Sequence, residues 1–513
     1  MLERGIMRLL KKLIHFISVA ILFASAVNPA KAQGPAPFAN CRLGVGDSKG
    51  NAVGYDIGQL NMGLYLDWST KSSPPAGLPA NVKYIQDVRV HQNKVGGWNS
   101  AYVNPPTYTV KPDLTTLTSR VLAKPGSLWL IGNEIDRRDW DGGGQDEITP
   151  ELYATAFHDI RNVIKTADPT AKIAIGSVIE ATPLRLKYLD RVWDSYYNQY
   201  GYPMGQDIDV WNIHGFILRE VKNSWGAEIP AGLNDSSGFL SGANTSTALA
   251  AHHSIAYFQQ FTEALRAWMA AHGERNKPLI NTEYGVLYKD FGGGLQITPQ
   301  EVSNYLTASF DYMLTKTDAT TGYPADENRL VQGWVWYSLN DNNFNGNLFN
   351  PTTKALTTVG TTWKNYVSNP GNPLASQPQR NLLVTNLSSD PAQALVFPGQ
   401  TKTVTLKVEV ANNGNTSTTT GNNIVVKFWD GVPNAPGSHQ IGSSQILNDL
   451  PGCGGFTTIK VDWPGRGVGN HTWYVKVESI ANETNTGDNT AQSAFSIFEI
   501  APNGIKYLPL IVK

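Results

Sequence analysis

Cysteine is almost missing from this chain: Cys41 and Cys453 are the only two in 513 residues. That excludes a disulfide framework and a cysteine-built metal cluster. The two could still pair across the chain, which sequence separation does not decide. An excess of charge is missing too. With 41 Lys+Arg against 42 Asp+Glu the formal net charge is −1, so no electrostatic footprint for nucleic acid or an anionic membrane is present. The apolar stretch Leu13 to Val27 is shorter than the roughly 20 residues a membrane span needs, so no transmembrane anchor is expected. A glycine-rich phosphate loop is also lacking, since Gly44, Gly46 and Gly50 imitate one only sparsely.

What the N-terminus does have is the secretory pattern. Arg4, Arg8, Lys11 and Lys12 precede the apolar stretch, and Ala30-Lys31-Ala32 follows it as a small-x-small cleavage signal. Residues 1–32 are expected to be a signal peptide, with a mature chain from Gln33 that is secreted, extracellular or at the cell surface. Phe38-Ala39-Asn40 before Cys41 does not look like a lipid-attachment signal. Aromatics are plentiful, with 14 Trp and 21 Tyr, which suits stacking on sugar rings and equally a large β-rich core.

Two strings carry the chemistry: Leu128-Trp129-Leu130-Ile131-Gly132-Asn133-Glu134 and Pro278-Leu279-Ile280-Asn281-Thr282-Glu283-Tyr284-Gly285. Each is an apolar run of strand length that delivers a glutamate into a loop. Two carboxyls presented from strand ends are what glycoside hydrolysis needs, one as general acid and one as nucleophile or base. Asn133 adds an amide that can hydrogen-bond a sugar hydroxyl.

From residue 33 to 367 short apolar runs alternate with helical segments, the rhythm of βα units. The candidate strands are Arg42 to Val45, Leu60 to Trp68, Lys83 to Val90, Ser127 to Gly132, Lys172 to Val178, Asp209 to His214, Pro278 to Glu283 and Gln332 to Ser338. Helices are expected over Glu151 to Thr166 and Ser254 to His272. Eight strands predict an α/β fold, a (β/α)8 TIM barrel, in which Glu134 ends the fourth strand and Glu283 the seventh at one mouth; a doubly wound sheet is the competitor. Residues 368–380, rich in Pro, Asn, Ser and Gln, read as a linker. Residues 381–500 alternate as strands of a C-terminal all-β immunoglobulin-like sandwich. Residues 501–513 are an apolar tail, either a terminal strand or an attachment signal.

Val410-Ala411-Asn412-Asn413-Gly414, the strand Val425 to Gly431, Gly469-Asn470-His471-Thr472 and Asn482-Glu483-Thr484 with Asp488-Asn489 resemble the bacterial CARDB-type adhesion module. The glutamate strings, with Gly63-Leu64-Tyr65-Leu66-Asp67-Trp68-Ser69, resemble glycoside hydrolase clan A and, within it, the secreted catalytic-core family that includes endo-β-1,3-glucanases. The resemblance implies Glu134 as acid/base, Glu283 as nucleophile and Asn133 as a sugar-binding neighbour. It further implies His214 as a substrate contact, Trp336 as a stacking ring and Arg89 as support for the nucleophile. Without it, His214 reads as a core histidine. Two positions depart from the family: Ile135 replaces a frequent proline, and Phe216 stands where many members have a tyrosine bonded to the nucleophile. Tyr284 or Tyr65 is the candidate substitute. The loop Asp136 to Gly144 reads as solvated or as a subsite wall, and Gly292 to Gly294 as a second mobile catalytic loop.

The expected activity is hydrolysis of a β-linked polysaccharide, β-glucan favoured, with retention. The carboxyls should then lie about 5 to 5.5 Å apart, against roughly 6.5 to 9.5 Å for inversion. The charge on Glu283 should raise the pKa of Glu134. No metal or organic cofactor is expected. The insertion Glu220 to Ala251 is the loop expected to shape the cleft, and the sandwich is expected to touch cell surface or matrix. The alternative is a barrel that binds glycans without cutting them.

Overall fold

The computed structural model describes residues 38–97, 99–139, 144–292, 294–418 and 423–500. The segment expected to be a signal peptide, the Trp140 to Gly143 part of the loop after Glu134, Gly293 and the 501–513 tail lie outside the described residues.

The first ten strands are β1 Asn40–Gly46, β2 Met62–Leu66, β3 Lys83–Tyr84, β4 Gln86–Gln92, β5 Tyr108–Lys111, β6 Leu128–Ile131, β7 Lys172–Ile175, β8 Trp211–His214, β9 Leu279–Tyr284 and β10 Gly333–Tyr337. They form a six-stranded parallel sheet, β3-β2-β1-β10-β9-β8, and a four-stranded sheet, β5-β4-β6-β7. The sheets meet twice. Ile85 alone separates β3 from β4, and its N–H bonds Tyr65 O at 2.9 Å. At the other side Ala174 bridges Val210, and the N–H groups of Asp209 and Val210 reach Ile173 O at 2.9 and 3.0 Å. The segment expected as one strand, Lys83 to Val90, is thus shared between the sheets, and the antiparallel hairpin of β4 with β5 was not anticipated.

Side chains alternate across this wall, as strand geometry requires. Leu66, Ile85, Leu130, Ala174, Ile280 and Val335 make one apolar cluster. The intervening residues, such as Val45, Tyr65, Val88, Trp129 and Ile131, pack in a larger cluster with the helices. Those helices include Pro150–Ala167 and Ile255–Ala271, close to the expected limits, and Pro299–Thr315, which opens with a Thr298/Glu301 capping box. Among the described residues no helix is long and apolar enough to cross a membrane.

The remaining strands are β11 Leu382–Asp390, β12 Gln393–Val396, β13 Lys402–Asn412, β14 Ile424–Trp429, β15 Gln440–Leu447, β16 Gly455–Arg466, β17 Gly469–Val477 and β18 Thr490–Glu499. Sheets β11-β13-β16 and β12-β18-β17-β14-β15 share one core, with Val404, Leu406, Val408 and Val410 facing Val426, Phe428, Trp473 and Val475.

The segment read as a linker is tied down instead. Pro373–Ser376 is a helical turn. Asn40 and Asn415 each donate a side-chain amide to Leu374 O at 2.8 Å, so its carbonyls are satisfied by protein rather than water. Beside it Cys41 and Cys453 form a disulfide, Cα atoms 6.2 Å apart. Arg42 binds Asp326 at 2.6 and 2.8 Å and donates to Asn413 O at 2.9 Å. The start of β1 is therefore bolted to the second core.

Candidate active site

Both glutamates reach a cleft of about 900 Å³ at the C-terminal ends of the strands, lined in part by Asp67, Trp68, Arg89, Asn133, Arg137, Trp225, Tyr288 and Tyr337. After β6 the backbone turns sharply. Gly132 has φ +98°, and a Cβ there would stand 2.5 Å from Ile135 Cγ2, so only glycine fits. Glu134 itself is left-handed at φ 49°, a strain that is met at functional sites. Its N–H is held by Ser177 Oγ at 3.2 Å, and Asn133 N–H by Asp146 Oδ2 at 2.9 Å. Glu283 is the penultimate residue of β9, and His214, its partner in register, ends β8.

His214 Nδ1 lies 3.2 Å from Glu134 Oε1 and 3.7 Å from Glu283 Oε2. One ligand-type atom from each of the three residues falls within 4.8 Å of the others. The same trio is the set among the described residues with the spacing to hold a metal ion. A positive charge is already built in: Arg137 Nη1 is 3.0 Å from Glu134 Oε2, and its Nη2 donates to Gly226 O at 3.2 Å.

Burial by itself would raise the Glu134 carboxyl, but Arg137 and the His214 contact overcome it and hold the pKa at about 2. Burial and the neighbouring Glu134 charge push Glu283 well up, and Trp68, Arg137 and Arg89 offset only part of this. Burial also lowers His214, with the Glu134 contact offsetting part of the effect. In the unliganded site these shifts favour an ionised Glu134 and a protonated Glu283, opposite to the split expected from sequence, with Arg137 and then the His214 contact lowering Glu134 and burial raising Glu283.

Arg137 lies in the loop that reads as solvated or as a subsite wall, and it lines the cleft. It is buried, as is Asp136, which accepts from Arg185 Nε at 2.9 Å and from Ile179 N–H at 3.2 Å. A residue three positions past Glu134 in a non-helical turn carries no sequence signal of such a contact. Arg89 does line the cleft, but its guanidinium is engaged by Asp146 at 2.7 to 3.0 Å; it acts on Glu283 through charge alone.

Trp336 and Tyr284 depart from expectation. Both are fully buried, pair in register across β10 and β9, and their rings meet edge to face at 5.2 Å on the helix side of the wall. Trp336 Nε1 donates to Gly346 O at 2.7 Å, and the Tyr284 hydroxyl meets Ser309 at 3.4 Å. Strand alternation is the reason: Glu283 and Tyr337, one residue away from each, take the cleft side. Tyr65 is bound to Asp47 at 2.7 Å, so neither tyrosine replaces the missing phenol. Phe216 meets His214 edge to face at 6.1 Å.

The ring beside Glu283 is Trp68, in a left-handed conformation at φ 51°. Its packing explains Gly46, where a Cβ would stand 2.7 Å from the indole. Trp68 reaches Tyr337 at 5.5 Å and Tyr337 reaches Phe344 at 5.3 Å, giving the cleft an aromatic wall.

No protein-family model matches the chain, and no curated protein matches it. Among solved structures it is similar to the GH128 subgroup II endo-β-1,3-glucanases of Sorangium cellulosum and Pseudomonas viridiflava. The first is 16% identical, covers 63% of this chain and 98% of its own, and has a TM-score of 0.37; the second is 15% identical over 64% and 98%, with 0.39. The CARDB domain of a Pyrococcus furiosus protein is 16% identical over 24% of this chain and 96% of its own, with 0.19. At such scores the functional reading rests on the site geometry alone.

Proposed function

We propose that this chain is a secreted glycoside hydrolase that cleaves a β-linked polysaccharide with retention, β-glucan favoured, on a (β/α)8 barrel followed by an immunoglobulin-like sandwich. The eight parallel segments and the two junctions between their sheets support the barrel. The observation that carries the activity is the approach of a Glu134 oxygen to a Glu283 oxygen within 4.8 Å. That is nearer the spacing of a retaining pair, about 5 to 5.5 Å, than the roughly 6.5 to 9.5 Å of an inverting one.

In this reading Glu283 attacks the anomeric carbon while Glu134 gives its proton to the departing oxygen. Glu134 then takes a proton from water as the glycosyl ester is hydrolysed. The pair holds one proton, the number the first step needs, and seating the glycosidic oxygen against Glu134 draws that proton from Glu283 across the short gap. Asn133 and the Trp68 ring hold the sugar.

A second assignment, with Glu134 as nucleophile and Glu283 as acid, is favoured by the Arg137 contact, which keeps Glu134 ionised.

Reducing-end release from β-glucans, xylans, mannans and galactans by the mature protein tests the activity, beside E134A and E283Q. Loss in both variants is expected. A wild type that binds a glycan but releases nothing overturns the hydrolase in favour of a glycan-binding protein. Azide rescue separates the two assignments: the acid/base variant yields a glycosyl azide of retained configuration and the nucleophile variant an inverted one.

A further inference from the structure

The opposite end of the same strands holds a second cavity of about 440 Å³, within the roughly 300–1,000 Å³ range of small-ligand sites. Its floor is apolar and comes from strand starts: Leu64 of β2, Leu128 of β6 and Ile280 of β9 belong to one cluster with the half-buried Val210. Its far wall is the Gly452–Cys453 turn of the sandwich, bearing the disulfide to Cys41.

The two glutamine side chains in the wall are already committed. Gln86 accepts from Lys71 N–H at 2.7 Å and donates to Lys71 O at 2.9 Å. Gln332 accepts from Arg266 at 2.6 Å and Leu279 N–H at 2.8 Å, and donates to Arg329 O at 3.0 Å. No Asp or Glu lines the cavity, whereas Lys83, Lys124 and Lys172 do. Lys172 has Asp209 at 3.7 Å; Lys83 and Lys124 have no ion pair among the described residues. The crevice desolvates Lys83 and lowers its pKa, with Asp449 offsetting part of the effect.

A largely apolar interior disfavours a polar ligand, and unpaired ammonium groups at the rim call for one negative charge. We propose that this cavity binds an amphipathic carboxylate, a saturated fatty acid of medium chain length, with its tail against Leu64, Leu128 and Ile280 and its head between Lys83 and Lys124. The site lies at the other end of the strands from Glu134 and is independent of the hydrolase reading. Because one wall belongs to each core, occupancy stiffens their junction.

Decanoate titrated calorimetrically into the mature chain is the test, with decanol as tail-only and acetate as head-only controls. One saturable site is expected, with a raised melting temperature, at least tenfold weaker binding of decanol, and no saturation by acetate. The K83A/K124A double variant, altered only at the rim, should bind decanoate at least tenfold more weakly. L128W, which fills the floor, should not bind it, its fold checked by circular dichroism. The proposal is overturned if decanoate does not saturate, if decanol binds equally well, or if the lysine variant binds as the wild type does.

Discussion

Arg137 Nη1 stands 3.0 Å from Glu134 Oε2, both side chains being buried. Together with the His214 contact it favours Glu134, of two neighbouring carboxyls, as the charged one. Two like charges this close in a desolvated site do not both ionise, and the guanidinium stabilises the negative charge on the one it touches. Replacing it with a neutral side chain removes a positive charge from both carboxyls, so both should become harder to ionise. For R137M we expect each limb of the pH profile of kcat/KM to move to higher pH and kcat to fall about 100-fold. An unmoved profile would detach Arg137 from the pair.

Trp68 acts on the other carboxyl. Its buried indole N–H makes no hydrogen bond in the unliganded site and is placed to favour an ionised Glu283. W68F keeps the ring and loses the N–H. Glu283 should become still harder to ionise, and kcat should fall roughly tenfold, the size of one hydrogen bond to a charged group. A steady-state comparison on one soluble glycan reads this directly.

Gly132 permits the turn that presents Glu134. Alanine there meets Ile135 and must hold φ near +98°, so G132A should lose about 1 to 3 kcal/mol of stability. Its activity should drop by more than the unfolded fraction accounts for. Chemical denaturation beside activity at a temperature where the variant is folded separates the two effects.

His252 makes stability depend on acid. It donates from Nδ1 to Ile217 O at 2.9 Å and accepts Tyr288 N–H on Nε2 at 3.1 Å, and burial lowers its pKa from 6.5 to about 4. A depressed base is charged in the unfolded chain before it is charged in the folded one. The folded state is therefore at full strength above about pH 6.5 and weakens as pH falls toward 4, by on the order of 3 kcal/mol. H252Q should flatten that slope in urea melts taken from pH 7 to 4.

The disulfide joins residues 412 apart, a long loop to leave open in the unfolded chain. C41S/C453S should lose about 2 to 4 kcal/mol, and its calorimetric transition should broaden as the two cores unfold less together. A single sharp transition at the wild-type temperature would show that Arg42 and the Asn40 and Asn415 amides suffice.

Much of the site was legible early because strand ends are local. The runs Leu128 to Ile131 and Leu279 to Glu283 are apolar at strand length, and both glutamates do arrive in one cleft with Asn133, His214 and Arg89 around them. The reading failed where one residue's facing mattered. Trp336 and Tyr337 are adjacent, equally aromatic and equally β-prone, and only the register of β10 against β9 sends the first to the helices and the second to the cleft. Composition likewise misjudged 368–380, whose Pro and Asn content suits a free linker until distant amides bind its carbonyls.

Most strand positions, the limits of two helices and the delivery of two glutamates from strand ends thus follow from the chain alone, because hydrophobic period and terminating residues are properties of neighbours in sequence. The opposed shifts of Glu134 and Glu283, the pairing of Cys41 with Cys453 and the lysine-rimmed cavity do not, because each depends on how the chain brings groups together in space. Charge, desolvation and side-chain facing act through space, and that proximity exists only once the chain has folded.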